Sequence, residues 1–116
     1  MSDAPVLSGI NRVPDPASAG DFENKHTPNL SCSREGDKLL VHVSMGHGVA
    51  HPNQPDHFIE WIEVLANDAP VARFGFAAVA IEPAFSCVLA VDAGTKLTAL
   101  ASCNLHGIWA FDAVAP

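Results

Sequence analysis

A chain of 116 residues has room for one domain built around a single core. Its composition, 48% hydrophobic and 16% charged, is typical of a folded globular protein and excludes a disordered one. The formal net charge of −7 argues against duplex nucleic acid and anionic membranes as partners. An anionic substrate would have to be attracted by local positive charge, against this overall field.

The sequence shows neither a membrane span nor a secretory signal, and its cysteines are few, which limits the class of protein further. No stretch approaches the roughly 20 apolar residues of a membrane span, and residues 1–5 lack the basic start of a secretory signal. We therefore expect a soluble, cytoplasmic protein. The three cysteines are widely spaced and include no Cys-x-x-Cys pair, which argues against a disulfide framework and against an all-cysteine metal site.

The first part of the chain carries few signals for regular structure. Residues 1–20 are rich in Pro, Ala, Ser, Asp and Gly, and predict an irregular N-terminal arm that lies over the body of the protein or over a neighbouring subunit. Residues 21–116 then form the domain proper. Thr27 precedes a proline and is biased towards an extended conformation, so residues 21–28 are predicted as a loop that carries His26.

The rest of the chain reads as strands separated by turns. Residues 38–45 alternate most clearly, with Leu39, Val41 and Val43 facing one way. Further strands are predicted at 57–65, 71–81, 84–91, 96–103 and 108–114. Short strands without a convincing amphipathic helix predict an all-β sandwich or barrel.

Two histidines and two cysteines have ordinary structural interpretations. His42 lies on the face opposite the apolar residues of its strand and is expected at the surface. His47 lies between glycines in a turn, where a surface position is favoured over the alternative of supporting a metal ligand. Cys32 and Cys87 have no histidine nearby and are expected to behave as small hydrophobic residues.

The remaining donors converge on the predicted strand ends and loops. His51 and His57 flank a loop stiffened by two prolines, and Cys103 precedes His106 by three residues. Together with His26 they offer four imidazoles and one thiolate. Zinc normally takes four ligands in a tetrahedron, whereas five such donors suit a five-coordinate iron. One thiolate leaves Fe(II) with a net charge of +1, which favours an incoming anion.

Three segments together resemble the signature segments of the superoxide reductase family, in its one-iron, neelaredoxin-like form. They are Lys25-His26-Thr27-Pro28, the run from His51-Pro52 through Asp56-His57-Phe58-Ile59-Glu60-Trp61-Ile62-Glu63, and Cys103-Asn104-Leu105-His106-Gly107-Ile108-Trp109. The resemblance covers residues 21–111 in the family's order, and the joint pattern is highly specific. It implies an immunoglobulin-like β-sandwich with a mononuclear non-haem iron exposed at one end.

The resemblance also implies roles for individual residues. Histidines 26, 51, 57 and 106 would form an equatorial plane, with Cys103 as the axial ligand and the sixth position open for superoxide. The product would be hydrogen peroxide, and electrons would come singly from rubredoxin or another small redox protein. Members of the family are often dimers or tetramers. Lys25 would attract superoxide and help to deliver a proton, and the N–H groups of Leu105 and His106 would donate to the cysteine sulfur.

One departure and two alternatives accompany this hypothesis. The family commonly has Glu before Lys-His, and that glutamate can bind ferric iron; here Asn24 takes its place, so a carboxylate would have to come from Glu23 through a shifted loop. An electron carrier of blue-copper type would also combine Cys and His in a β-sandwich, but it expects two histidines and a nearby methionine. A metal-free immunoglobulin-like binding or carrier module would leave the five donors as coincidence.

Overall fold

Eight β-strands and one short helix make up the computed structural model of the chain, which describes residues 9–116. The strands are β1 (Ile10–Arg12), β2 (Pro28–Glu35), β3 (Lys38–Met45), β4 (Ile59–Ala66), β5 (Ala69–Gly75), β6 (Phe85–Leu89), β7 (Lys96–Cys103) and β8 (Gly107–Val114). The helix α1 covers Asp21–His26 and follows a single 3-10 turn at Pro16–Ser18.

The strands form two sheets that pack face to face. One sheet has five strands in the order β1-β8-β7-β4-β5, and the other has three in the order β2-β3-β6. Alternate residues of β3 and β7 face the interior and are fully buried, as the period of two in a strand requires. The prediction of an all-β, immunoglobulin-like sandwich is confirmed.

Two strands coincide with their predicted bounds because their patterns are unambiguous. Both β3 and β7 start and end at the predicted residues, and Leu97, Ala99 and Ala101 share the buried face. The prediction at 57–65 is confirmed with a start at Ile59, since His57 belongs to the preceding loop and forms an isolated bridge with Gln54.

The predicted strand at 71–81 is wrong in its second half. Strand β5 ends at Gly75, and the chain then turns away, with Val79 at a φ of 68°. The side chain of Asn53 holds this turn, since its Oδ1 accepts from Val79 N at 2.7 Å and its Nδ2 donates to Ile81 O at 3.0 Å. The left-handed backbone of Val79 is not the extended conformation of a strand and is strained for a β-branched residue. Residues 76–81 therefore do not continue the strand, although they are mostly apolar.

The prediction that His26 lies on a loop is also wrong, because His26 is the last residue of α1. Acidic Asp21 lies in the first turn, and Lys25 and His26 lie in the last turn, which complements the helix dipole. The helix ends where the sequence predicts a break, since Thr27 is extended before Pro28.

The arm is more regular than predicted where the structure describes it. Residues 10–12 form β1, which pairs in parallel with β8. Asn11 Nδ2 donates to Ile108 O at 3.0 Å, and Arg12 forms an ion pair with Asp112 at 3.1 Å. Residues 1–8 of the predicted arm lie outside the described residues, and the division into an arm and a domain stays a prediction.

One end of the sandwich gathers the segments of the suspected site. Cys103, at the end of β7, pairs with Gly107 and with Ile59, at the starts of β8 and β4. On the other sheet Pro28, which follows the helix, pairs with Met45 at the end of β3. Over residues 9–116, no helix has the length and apolar character needed to cross a membrane.

Candidate metal centre

Four of the five predicted donors converge at this end of the sandwich. Ligand atoms of His26, His51, His57 and Cys103 all lie within 4.8 Å of one another. The helix end supplies His26, the proline-containing loop before β4 supplies His51 and His57, and the end of β7 supplies Cys103. Three of the four residues are buried, so their donor atoms face one another rather than bulk solvent.

The ring of His106 completes a quadrilateral of imidazoles. Successive ring centroids are 4.8 Å apart from His26 to His51, 4.8 Å to His57, 5.2 Å to His106 and 5.0 Å back to His26. Each adjacent pair is nearly perpendicular, with interplanar angles from 79° to 86°. The diagonal from His26 to His57 is longer, 6.0 Å. The four rings therefore surround one common point.

Backbone carbonyls fix which ring nitrogens face that point. His26 Nδ1 lies 2.7 Å from Phe22 O, and His51 Nδ1 lies 2.7 Å from Pro52 O. A carbonyl can only accept, so each Nδ1 carries the proton and each Nε2 keeps a free lone pair. Metal-binding histidines are commonly oriented by this kind of hydrogen bond to the other ring nitrogen.

Three buried nitrogens of the cluster have no hydrogen-bond partner within the described residues. They are the Nε2 atoms of His26, His51 and His57. Leaving a buried polar group unpaired costs about 1–3 kcal/mol, and three such atoms within one cluster demand a common partner. A metal ion that accepts all three lone pairs meets that demand, so the residues present fit a bound metal.

The histidines are held in the form that binds metals. Burial is the main cause that lowers the pKa of His26 to about 4 and that of His51 to about 3, and neighbouring positive charge lowers both further. The pKa of His57 is lowered as well, first by burial and then by His106. All three imidazoles are therefore neutral at pH 7, with lone pairs available.

The thiol of Cys103 experiences opposing influences. Burial raises its pKa, whereas hydrogen bonds from the backbone N–H groups of Leu105 and His106 lower it, as predicted. These two donors stabilise a thiolate once one forms. A bound cation supplies the missing stabilisation, because a coordinated thiol loses its proton.

Lys25 places a positive charge beside the cluster. Its side chain is half-buried, and Nζ lies 5.8 Å from the centroid of the Phe22 ring. The ammonium contributes to lowering the pKa values of His26, His51 and His57. Its positive charge therefore acts on the three imidazoles beside which the anionic substrate is expected to bind.

Asn104, which the sequence pattern did not predict as a site residue, braces the two donor loops against each other. Asn104 Oδ1 accepts from Phe58 N at 2.9 Å, and its Nδ2 donates to Asp56 O at 3.0 Å. One asparagine thereby ties the residue after Cys103 to the residues on both sides of His57. Its position inside the Cys-x-x-His motif is the only sequence signal that marked it.

Aromatic packing behind the histidines was also missed. Trp109 stacks on His26 with a centroid separation of 5.3 Å, and its Nε1 donates to His106 O at 3.0 Å. The ring of Phe22 lies 4.6 Å from that of His26 and 5.2 Å from that of His106. These two large side chains close the inner side of the cluster and hold its rings in place.

The structure separates the other candidates from the cluster. His42 is exposed, as expected, and its Nδ1 lies 2.7 Å from Ser86 Oγ. Cys32 and Cys87 are partly buried against the hydrophobic core, also as expected. His47 was expected at the surface but is half-buried and hydrogen-bonded.

A β-sandwich that gathers four imidazoles and one thiol at one end defines a mononuclear metal protein, and imidazole with thiolate suits non-haem iron. The chain belongs to the desulfoferrodoxin family, whose model matches residues 18–112.

Relatives and solved structures agree with this membership. The chain is 37% identical over 113 residues to a putative superoxide reductase of Methanocaldococcus jannaschii, and the alignment covers 90% of each protein. A solved variant of superoxide reductase (neelaredoxin) from Archaeoglobus fulgidus in the reduced form is 31% identical, with a TM-score of 0.76, and covers 84% of this chain and 94% of its own. Superoxide reductase (neelaredoxin) from Ignicoccus hospitalis is 26% identical, with a TM-score of 0.75, and covers 91% of this chain and 93% of its own.

Proposed function

We propose that the protein is a superoxide reductase that converts superoxide to hydrogen peroxide without producing oxygen. In this reaction one superoxide takes up one electron and two protons. The observation that carries the proposal is the group of three buried Nε2 atoms without partners, gathered beside a buried thiol. The chain's membership in the desulfoferrodoxin family supports the same reaction.

Five side chains would hold the iron. They are His26, His51, His57, His106 and Cys103. Bound iron supplies the one-electron chemistry by alternating between its ferrous and ferric states. The carbonyls of Phe22 and Pro52 keep two of the imidazoles oriented, and the N–H groups of Leu105 and His106 stabilise the thiolate of Cys103.

Lys25 attracts the substrate and supports its protonation. The charge of the ammonium acts on His26, His51, His57 and Cys103. A fixed positive charge beside the site offsets the repulsion that a chain of net charge −7 exerts on an anion. The same ammonium would donate a hydrogen bond to a water molecule that gives a proton to the reduced product and is reprotonated from solvent.

The proposed reaction requires an electron-donating partner. Each turnover consumes one electron, so a one-electron donor is required; we propose rubredoxin or another small redox protein. A homodimer or homotetramer and a location in the cytoplasm remain predictions from the sequence and the resemblance.

The two alternatives account for fewer of the observations. An electron carrier of blue-copper type uses two histidines, whereas four imidazole rings surround one point here. A metal-free binding module would leave three buried nitrogens unpaired at a cost of several kcal/mol in total, since each costs about 1–3 kcal/mol.

Metal analysis combined with a superoxide assay tests the proposal. The purified protein should contain iron, and its oxidised form should be blue from sulfur-to-iron charge transfer. With an added reductant it should consume superoxide and release hydrogen peroxide without oxygen. Copper in place of iron would indicate the electron carrier, and release of oxygen would indicate dismutation; either result would overturn the proposal.

A further inference from the structure

His47 lies outside the donor group but contacts the chain on both sides of His26. The residue follows Gly46 in the loop after β3, and its side chain is half-buried. Its Nε2 lies 2.9 Å from Pro28 O, so Nε2 carries the proton and donates. Its ring packs on Phe111 with a centroid separation of 4.7 Å.

The same loop also contacts the end of α1 through its backbone. His47 N donates to Asn24 O at 3.0 Å, and Gly46 N donates to Thr27 O at 3.0 Å. With the bond from the imidazole to Pro28 O, three hydrogen bonds hold the chain on both sides of His26. We call these three bonds the helix-end clamp.

The helix needs this support because of its own sequence. In a continuing helix the carbonyl of Asn24 would accept from the N–H four residues later, but that residue is Pro28, which has none. The N–H of His47 takes the place of the missing donor. A helix of six residues is also far too short to be stable alone, so its position depends on such tertiary contacts.

The turn that presents these donors has little freedom. Gly46 has a φ of +91°, and a Cβ at this position would lie 1.9 Å from Val49 O. Only glycine fits there without movement of the backbone. The turn therefore fixes the orientation in which the N–H groups of Gly46 and His47 donate to the end of α1.

We propose that His47 is a positioning residue for the metal centre: through the helix-end clamp it fixes the last turn of α1, which carries Lys25 and His26. The part of this inference that concerns iron and superoxide rests on the proposed function. The part that concerns the helix does not, since the hydrogen bonds are present in the protein alone. Neither part requires His47 to touch the metal or the substrate.

Two substitutions separate the hydrogen bond from packing. His47→Leu keeps an apolar body against Phe111 and removes the donor, whereas His47→Gln restores an N–H donor of similar reach. His42→Leu is the matched control, because His42 is exposed on the outer face of the small sheet. All three variants should fold, as judged by circular dichroism.

Amide hydrogen exchange of the metal-free protein measures how strongly the helix-end clamp protects the end of α1. In His47→Leu, the peptide covering residues 21–30 should exchange roughly ten-fold faster than in the unsubstituted protein, because its local opening becomes easier. His47→Gln should return most of the protection, and His42→Leu should change nothing in this peptide. Equal exchange in the Leu variants at positions 47 and 42 would overturn the proposal.

Iron release gives the second readout. Loss of residues that orient metal ligands typically weakens metal binding about 10- to 100-fold, so His47→Leu should release iron to a chelator at least about ten-fold faster, with rescue by His47→Gln. If His47→Leu and His42→Leu released iron equally slowly, the positioning role would be refuted. A protein that takes up no iron at all would refute the proposed function instead, and the exchange experiment would still decide the role of His47.

Discussion

Removing the charge of Lys25 should slow the reaction of the reduced protein with superoxide. The ammonium acts on the pKa of every imidazole in the cluster that shows a shift. At a separation of ~5 Å and an effective dielectric constant of ~20, one positive charge stabilises an anion by about 3 kcal/mol before screening. Solvent screening and side-chain mobility reduce this value, so we expect Lys25→Ala to slow the reaction by roughly ten-fold.

Pulse radiolysis over a series of salt concentrations measures the effect. The rate of the unsubstituted protein should fall as ionic strength rises, and the variant should show a flatter or reversed dependence. Lys38→Ala is the matched control, because it makes the same change in net charge at an exposed lysine whose contact is Asp37. Iron content and the visible spectrum should be unchanged in both. Identical rates and salt slopes for Lys25→Ala and Lys38→Ala would remove Lys25 from the mechanism.

Three further predictions concern the donors and the nearby carboxylate of Glu23. Cys103→Ser should keep the fold but abolish the blue colour and the activity, whereas Cys32→Ser should leave the spectrum unchanged; a blue, active Cys103→Ser protein would contradict the assignment. The metal-free protein should lose stability as pH falls below 6.5, because His26 and His51 have pKa values of about 4 and about 3 when folded, and the unfolded chain binds protons first. Each histidine lowers the free energy of unfolding by up to about 1.4 kcal/mol per pH unit. Urea denaturation that gives the same free energy of unfolding at pH 7.5 and at pH 5 would refute this prediction. Glu23→Ala should barely alter the spectrum of the oxidised protein at any pH, and a clear shift would place that carboxylate on the iron.

The strands that sequence alone predicts well are those whose alternation is strong. Both β3 and β7 place apolar residues at every second position, so their bounds and buried faces follow directly. Strand β2 was not predicted, because its inward positions are Leu30, Cys32 and Arg34, which form no clear apolar face. Its existence depends on an eight-residue register with β3, which is a long-range property.

Long-range contacts also explain the two errors near the site. Helix α1 is too short to show a helical period, and its C-terminal end is completed by N–H groups from residues about 20 positions later in the sequence. The chain leaves β5 at Gly75 because Asn53, in the loop between His51 and His57, holds the turn at Val79. In both places a loop near the metal centre determines the structure of a segment distant in sequence.

The donors were predictable, whereas the groups that orient them were not. A cysteine and four histidines are visible in the sequence as a set of metal-binding residue types. The carbonyl of Phe22 orients His26 only because α1 places residues four apart on one face. The brace from Asn104 likewise requires β4 and β7 to be neighbours. The chemistry of a site is therefore easier to predict from sequence than its geometry.

The contacts of Asn24 give a structural reason for its departure from the family's glutamate. Its Nδ2 donates to Pro16 O at 2.8 Å and to Ala19 O at 3.4 Å, so the side chain is directed at the arm. A carboxylate in that orientation would face two carbonyl oxygens, lose both hydrogen bonds and be repelled. Glu23 borders the groove beneath the arm, and the converging donor group of residues 9–116 contains no carboxylate. Asparagine thus attaches the arm at the position where the resemblance to the family leads us to expect a glutamate.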